Sequence, residues 1–222
     1  MNWMALELSL KLAAWTTLIL LPVGIVAGRF LAWQKFRAKP VVEALVMLPL
    51  VLPPTVLGFY MLVALGGDSI IGQVYQALVG RTLVFSFEGL VVASVIFNLP
   101  FAIQPMQRAF EAIPVEVREA AACCGHRPWR MLWRIELPLA WPGILTALVL
   151  TFAHTIGEFG IVLMVGGNVP GETQTIAIAI YDQVQAFDNA SAGLMSAVLL
   201  VVSLLAISMT YFGTSYIGRR HD

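Results

Sequence analysis

A chain of 222 residues that is 59% hydrophobic and only 12% charged, with mean hydropathy +0.84, has too little polar surface to cover a water-soluble globule and reads as a membrane protein. Its formal net charge of zero says nothing about partners, because in a membrane protein the placement of charge carries the information. The adjacent Cys123 and Cys124 and the three histidines, His126, His154 and His221, show no metal-ligand spacing, so no metal site is expected and the cysteines read as helix-compatible residues of a reducing compartment.

In chain order, the N-terminus carries Glu7 and Lys11 and no clean cleavage site, so the first apolar run reads as retained rather than as a signal peptide. A membrane-crossing helix needs about 20 mostly apolar residues. Runs of that kind extend from Leu12 to Trp33, Ala44 to Leu65, Gly89 to Gln107, Leu139 to Val165 and Gly193 to Ile217. The expectation is an all-α membrane protein of about five transmembrane helices, with room for a sixth short helix, forming one transmembrane domain over 1–222. Arg29, near the end of the first span, is expected to snorkel to the interface.

The connections set the orientation. Lys35, Arg37 and Lys39 follow the first span; Arg108, Arg118, Arg127, Arg130 and Arg134 lie between the third and fourth; Arg219 and Arg220 follow the fifth. Only Lys11 and Arg81 fall on the other side, so the positive-inside bias places the N-terminus outside and the C-terminus and segment 108–138 in the cytoplasm. The outer loop 166–192 is too polar to cross. Ile176, Ile180, Val184 and Phe187 would share one face of a short interfacial helix, while the alternation at Ile176, Ile178 and Ile180 leaves a strand open. Prolines at 22, 49, 53, 54 and 100 each remove a backbone donor inside a span, which fits either a bundle that changes shape or irregular packing.

Segment 108–138 is more than a charged connector. Pro114 and Gly125 bracket a three-turn helix, and Pro128 opens a second short helix that ends at Leu137-Pro138. Ala120, Ala121 and Ala122 would form a flat patch for another protein's surface, rimmed by Glu116, Arg118 and Glu119. Trp129, Leu132 and Trp133 form an apolar stripe that, with the arginines around it, suits the lipid headgroup region. The pattern fits a knob gripped by a partner on a Trp/Arg base; a loop that only sets topology would not need this helix–Gly–helix grammar.

Glu119-Ala120-Ala121, then Gly125, Ile135 and Leu137-Pro138, resembles the signature loop of ATP-binding-cassette (ABC) importer permeases, E-A-A-x3-G-x9-I-x-L-P, at every position. The stretches "LPLVLPPTVLGF" (Leu48 to Phe59), "GEFG" (Gly157 to Gly160) and "GNVPGETQTI" (Gly167 to Ile176) look like the molybdate permease branch, with sulfate/thiosulfate permeases closely similar. The resemblance implies a type I importer permease fold in a bacterial inner membrane, and a coupling helix from Glu119 to Gly125 docking on an ATPase. It also implies a second permease copy as homodimer partner, two ATPase subunits holding ATP and Mg, and an extracytoplasmic oxyanion-binding protein. No cofactor is expected in this chain and no nucleic acid as partner, with lipid its remaining contact.

No G-x-x-x-x-G-K-[ST] occurs, and the lysines are Lys11, Lys35 and Lys39, so ATP phosphates cannot be cradled here in that way. Glu158 lies four residues after His154 on one helical face, without the H-E-x-x-H of a zinc protease. An anionic cargo would be repelled by it, so Glu158 is expected to hydrogen-bond within the bundle or a wet vestibule. Pro53, Pro54, Gly157, Glu158 and Gly160 are candidates for structural or gating roles. Neutral donors, Thr55, Asn98, Thr151, Thr155 and Ser196, are candidates for the path and equally for interhelical hydrogen bonding. The other function classes are an intramembrane enzyme, for which no nucleophile–base pair or metal set is apparent, and a passive channel, which would need no coupling knob. Tungstate and sulfate remain alternative cargoes to molybdate.

Overall fold

The computed structural model describes residues 1–125 and 127–218. His126, the paired Arg219 and Arg220, and His221 lie outside the described residues, and so does the basic charge assigned above to the C-terminal end. The described residues form helices and connecting turns, with no strand among them.

Helix α1 (Trp3–Trp33) begins earlier than hydropathy suggests because Asn2 caps it, its Oδ1 accepting from the Ala5 amide at 3.0 Å. Then follow α2 (Lys39–Val51) and α3 (Pro54–Leu65), a short α4 (Ile70–Val79) and the long α5 (Phe87–Glu111). The single second span expected from 44 to 65 is instead two helices bent by 107° at their junction. Leu52 and Pro53 adopt extended ψ values of 140° and 134° ahead of Pro54, because each precedes a proline whose ring disfavours helical backbone.

Downstream, α6 (Val115–Cys123) and α7 (Pro128–Met131) make up the 108–138 segment. A π-helical turn (Leu132–Glu136) then joins α7 without interruption to α8 (Leu137–Ile156). The second short helix therefore does not end at Leu137-Pro138. Pro138 has no amide to offer and its ring crowds the preceding turn, and the wider turn just before it accommodates both. The fourth span is interrupted at 157–159, and α9 (Gly160–Gly166) follows. A helix, α10 (Ile176–Gln185), replaces the strand alternative in the outer loop, and α11 (Asn189–Gly218) closes the chain. The buried face of α10 is Ile176, Ile178 and Ala179, not the expected stripe: Val184 is half exposed, and Phe187 lies beyond the helix, 89% exposed with φ +59°.

Packing fixes the crossing pattern. The C-terminal ends of α1 and α5 and the start of α8 lie together: Gly28 sits against Met106 and Gln107, and Arg29 reaches Glu136. The start of α2 is at the same end, with Gln107 Nε2 donating to Glu43 at 2.8 Å. At the opposite end, the Phe85 amide bonds the Val165 carbonyl at 2.9 Å, the Ile176 amide bonds Ser9 Oγ at 2.8 Å, and Asn2 bonds Gln174 at 3.0 Å. The chain between α1 and α5 therefore has to pass from one end to the other, so the bent pair α2–α3 serves as a crossing beside the four long apolar helices among the described residues. Two buried clusters match these ends. Leu8, Leu12, Met61, Leu90, Ile161 and Val165 fill one, and Met106, Phe110, Ile113, Leu132, Ala140 and Ile144 the other.

The α1–α5 contact depends on small residues. A Cβ on Gly28 would stand 2.9 Å from the backbone nitrogen of Gln107, whereas one on Gly24 would meet the flexible Met106 side chain. Gly28→Ala should therefore lower stability by about 1–3 kcal/mol and Gly24→Ala by clearly less, as read from thermal melting of the detergent-solubilised protein.

Candidate coupling loop and translocation site

Helix α6 is punctuated as its sequence suggests, displaced by one residue. Pro114 is the N-cap, with no side-chain capping bond, and Glu116 sits in the first turn, where a carboxylate favours the helix dipole. At the far end the Cys124 amide bonds the Ala120 carbonyl at 3.0 Å and the Gly125 amide bonds Ala122 at 2.9 Å. Gly125 has φ +76°, a left-handed conformation that glycine adopts without a Cβ penalty, and an added Cβ would meet nothing within 4 Å. Glu119, Ala120 and Ala122 are exposed, while Ala121 is turned inward and buried, so the three alanines do not form one flat patch. Cys123 and Cys124 are exposed free thiols. Ile135 and Leu137 are half-buried, Leu137 packing on the Met106–Phe110–Ile113 cluster, and Pro138 is exposed.

The anchor of this loop is Glu136, for which the sequence offers no local signal. Its side chain is wholly buried. Arg29 of α1 donates to it from Nε at 2.5 Å and Nη2 at 3.3 Å, and Arg118 of α6 donates from Nε at 3.1 Å. Arg118 also lies 3.9 Å over the Trp33 ring. Arg29 is therefore not held by water alone: a buried carboxylate offers it a charge-assisted bond that water would otherwise have to supply. Trp129 and Trp133 are exposed and meet edge to face at 5.5 Å, with Leu132 buried beneath them, so the apolar stripe splits between surface and core.

The second constellation forms where the two helix breaks meet. Gly160 packs so closely on the α2–α3 break that an added Cβ would lie 3.0 Å from Pro54 Cβ. Just before it, Glu158 is buried and accepts from Ser94 Oγ at 2.6 Å and from Asn98 Nδ2. Asn98 Nδ2 also donates to the Ser94 carbonyl at 2.8 Å, which leaves its Oδ1 to accept from His154 Nδ1 at 2.9 Å and assigns the ring proton to that nitrogen. His154 stacks on Phe101, centroids 4.1 Å apart. Beside this network lies a cavity of about 420 Å³ lined by Pro54, Thr55, Phe97, His154, Gly157, Glu158, Phe159 and Gly160.

Of the five neutral donors, the structure brings two to this place: Thr55 lines the cavity and Asn98 holds Glu158. Thr151 and Thr155 are buried within α8, Thr155 bonding the Thr151 carbonyl at 2.8 Å, and Ser196 is exposed on α11. Ser94 was missed, although it and Asn98 are four apart on α5 and thus share a face. Among the described residues no group of three His, Cys, Asp or Glu side chains could hold a metal ion.

Because two arginines share Glu136, their losses should not add. Arg29→Met alone leaves Arg118 in place and should cost about 1 kcal/mol, whereas Arg29→Met with Arg118→Met strands a buried charge and should cost about 3–5 kcal/mol. Thermal melting of the four members of that cycle measures both values.

Comparison with known proteins extends over nearly the whole chain. The profile of the family described as binding-protein-dependent transport system inner membrane component matches residues 21–220. The molybdenum transport system permease protein ModB of Azotobacter vinelandii is 48% identical over 207 residues, covering 93% of this chain and 92% of that one. Its counterpart in Escherichia coli (strain K12) is 36% identical over 208 residues, covering 92% and 91%. A probable sulfate transport system permease protein, cysT, of Chlorokybus atmophyticus is 29% identical over 94% of this chain and 71% of its own. Among solved structures, a bacterial ABC transporter involved in import of the acidic polysaccharide alginate superposes with TM-score 0.73 at 19% identity, covering 94% of this chain and 78% of that one. A chain with this loop and this match belongs to the family of binding-protein-dependent transport system inner membrane components.

Proposed function

We propose that this permease carries molybdate into the bacterial cytoplasm as one of two identical copies around a shared path, with its N-terminus outside and its C-terminus inside. Two ATPase subunits would sit beneath segment 108–138, holding ATP and Mg, and an extracytoplasmic protein would deliver the oxyanion to the opposite face. The observation that supports the cargo best is 48% identity to a molybdenum permease over almost the full length of both chains. Sulfate is the second reading, favoured by the 29% identity to a sulfate permease.

In this scheme Glu119, Ala120 and Gly125 face the ATPase. Ala121, Ile135 and Leu137 seat the coupling helix on the bundle, and Pro138 opens α8 on its exposed side. ATP-driven closure of the ATPases would move the loop, and with it α1 and α8 through Glu136. The broken helices at Pro53-Pro54 and at Gly157–Gly160 would rearrange as the path changes sides. Glu158 would hold α5 to the α8–α9 break through neutral donors and keep the anion away from itself, leaving Thr55 as the donor on the cavity wall.

Two measurements test this reading. ATPase activity of the reconstituted complex should rise severalfold with the binding protein loaded with molybdate and not with sulfate; stimulation by sulfate alone would reassign the cargo. Gly125→Val should uncouple ATP hydrolysis from uptake, lowering transported anion per ATP about tenfold while leaving membrane insertion unchanged, and Gly125→Asn, which tolerates a left-handed backbone, should lose much less. Normal transport in the valine variant would remove the coupling role.

A further inference from the structure

We infer that the outer face of α1 and the start of α7 form a binding site for one anionic phospholipid of the surrounding bilayer. Two adjoining hollows carry this inference. The first, about 450 Å³, is lined by Val26, Arg29, Phe30, Trp33, Arg118 and Trp129, among others. The second, about 580 Å³, is a wholly apolar groove along α1 formed by Pro22, Val23, Val26, Ala27 and Phe30. Val26 and Phe30 belong to both, so the groove opens directly into the arginine-lined hollow. Ala27 supplies the dip between the larger side chains.

The charge in that hollow does not balance. Arg29 and Arg118 bring two positive charges to the single carboxylate of Glu136, which is fully buried behind them. Their side chains remain 27% and 26% exposed. Arg118 engages Glu136 through Nε alone, so its two Nη groups take no part in that pair, nor does Nη1 of Arg29. A half-buried site with one excess positive charge and unused guanidinium donors is suited to a phosphate, which arginine grips in a planar fork.

The phosphate could be free in the cytoplasm or part of a lipid, and the groove decides for the lipid. Val26 is 68% exposed and Phe30 52%, on the side of a membrane-crossing helix that faces away from the bundle. Trp129, 69% exposed, marks the headgroup level at which such rings accumulate. An acyl chain in the groove and its phosphate on Arg29 and Arg118 satisfy both hollows with one molecule. Bound there, the lipid would bridge α1 and the loop segment and brace the Glu136 junction from outside. The site does not depend on which oxyanion is transported.

The test uses the intact permease–ATPase complex taken from bilayers containing equal amounts of phosphatidylglycerol and phosphatidylethanolamine, with retained lipid counted by native mass spectrometry. Phosphatidylglycerol should be retained about fivefold over phosphatidylethanolamine, the preference expected for one net charge near the headgroups. Arg118→Gln should bring that ratio close to one. Val26→Trp, which fills the groove where it meets the hollow and leaves Arg29, Arg118 and Glu136 in place, should abolish retention at unchanged melting temperature, so the proposal stays testable even if Arg118→Gln folds poorly. Equal retention of the two lipids, undiminished retention in Val26→Trp, or displacement of the lipid by millimolar inorganic phosphate would each overturn it. So would efficient cross-linking of a cysteine at Val23 to a second permease copy, which would show this face covered by protein.

Discussion

The buried carboxylate of Glu136 is the constraint around which one end of the molecule is arranged. A charge shut away from water must be matched by opposite charge and by hydrogen bonds, and here both come from elements far apart in sequence: Arg29 ends α1 and Arg118 lies in α6. Satisfying that one group fixes the small helix relative to the longest one. Beneath it, Ile113 and Leu132 join Met106 and Phe110 in an apolar cluster that continues the same junction into the bundle. The end of α1, helix α6 and the start of α8 are consequently joined at one junction.

Glu158 presents the opposite arrangement. It is as deeply buried, yet its partners are a serine, an asparagine and a histidine rather than guanidinium groups. It sits where two crossings are interrupted, and interrupted helices expose backbone groups that hydrocarbon cannot satisfy, so breaks persist only where protein or a polar cavity covers them. Packing the 157–160 break against Pro54 meets that demand for both at once. The molecule thus combines an end tied together by a buried ion pair with a middle in which two helices are interrupted side by side.

How much of this was legible in the sequence follows from the range of each interaction. The limits of α6 could be read to within a residue because Pro114 and Gly125 act on their immediate neighbours. Five crossings could be counted because hydropathy sums over local windows. Hydropathy is blind to direction, however: the run from Ala44 to Leu65 counts as one span, and Pro53-Pro54 within it signals a kink but not a bend of 107°. Arg29 and Glu136 are separated by 107 positions, and no local pattern pairs them. Snorkelling was the reasonable expectation for an arginine near a helix end, and only tertiary packing revealed a better partner. The same distance problem scattered the five neutral donors: residue type nominated them, but only proximity to the breaks separates Thr55 and Asn98 from the rest.

The π-helical turn at Leu132–Glu136 carries an implication of its own. The Leu137 amide reaches back to the Leu132 carbonyl, one residue further than in an ordinary helix. A turn closed over five residues winds through nearly the same angle as an ordinary turn closed over four, so the surplus residue is absorbed locally and the rod keeps its bearing on either side. Deleting one residue here would restore regular winding with little rotation of the flanks. Regular winding through the same residues would instead turn everything before Leu137 by about 100° and carry Arg118 away from Glu136. The wider turn is thus what sets the compass bearing of α6 relative to the crossing that follows it.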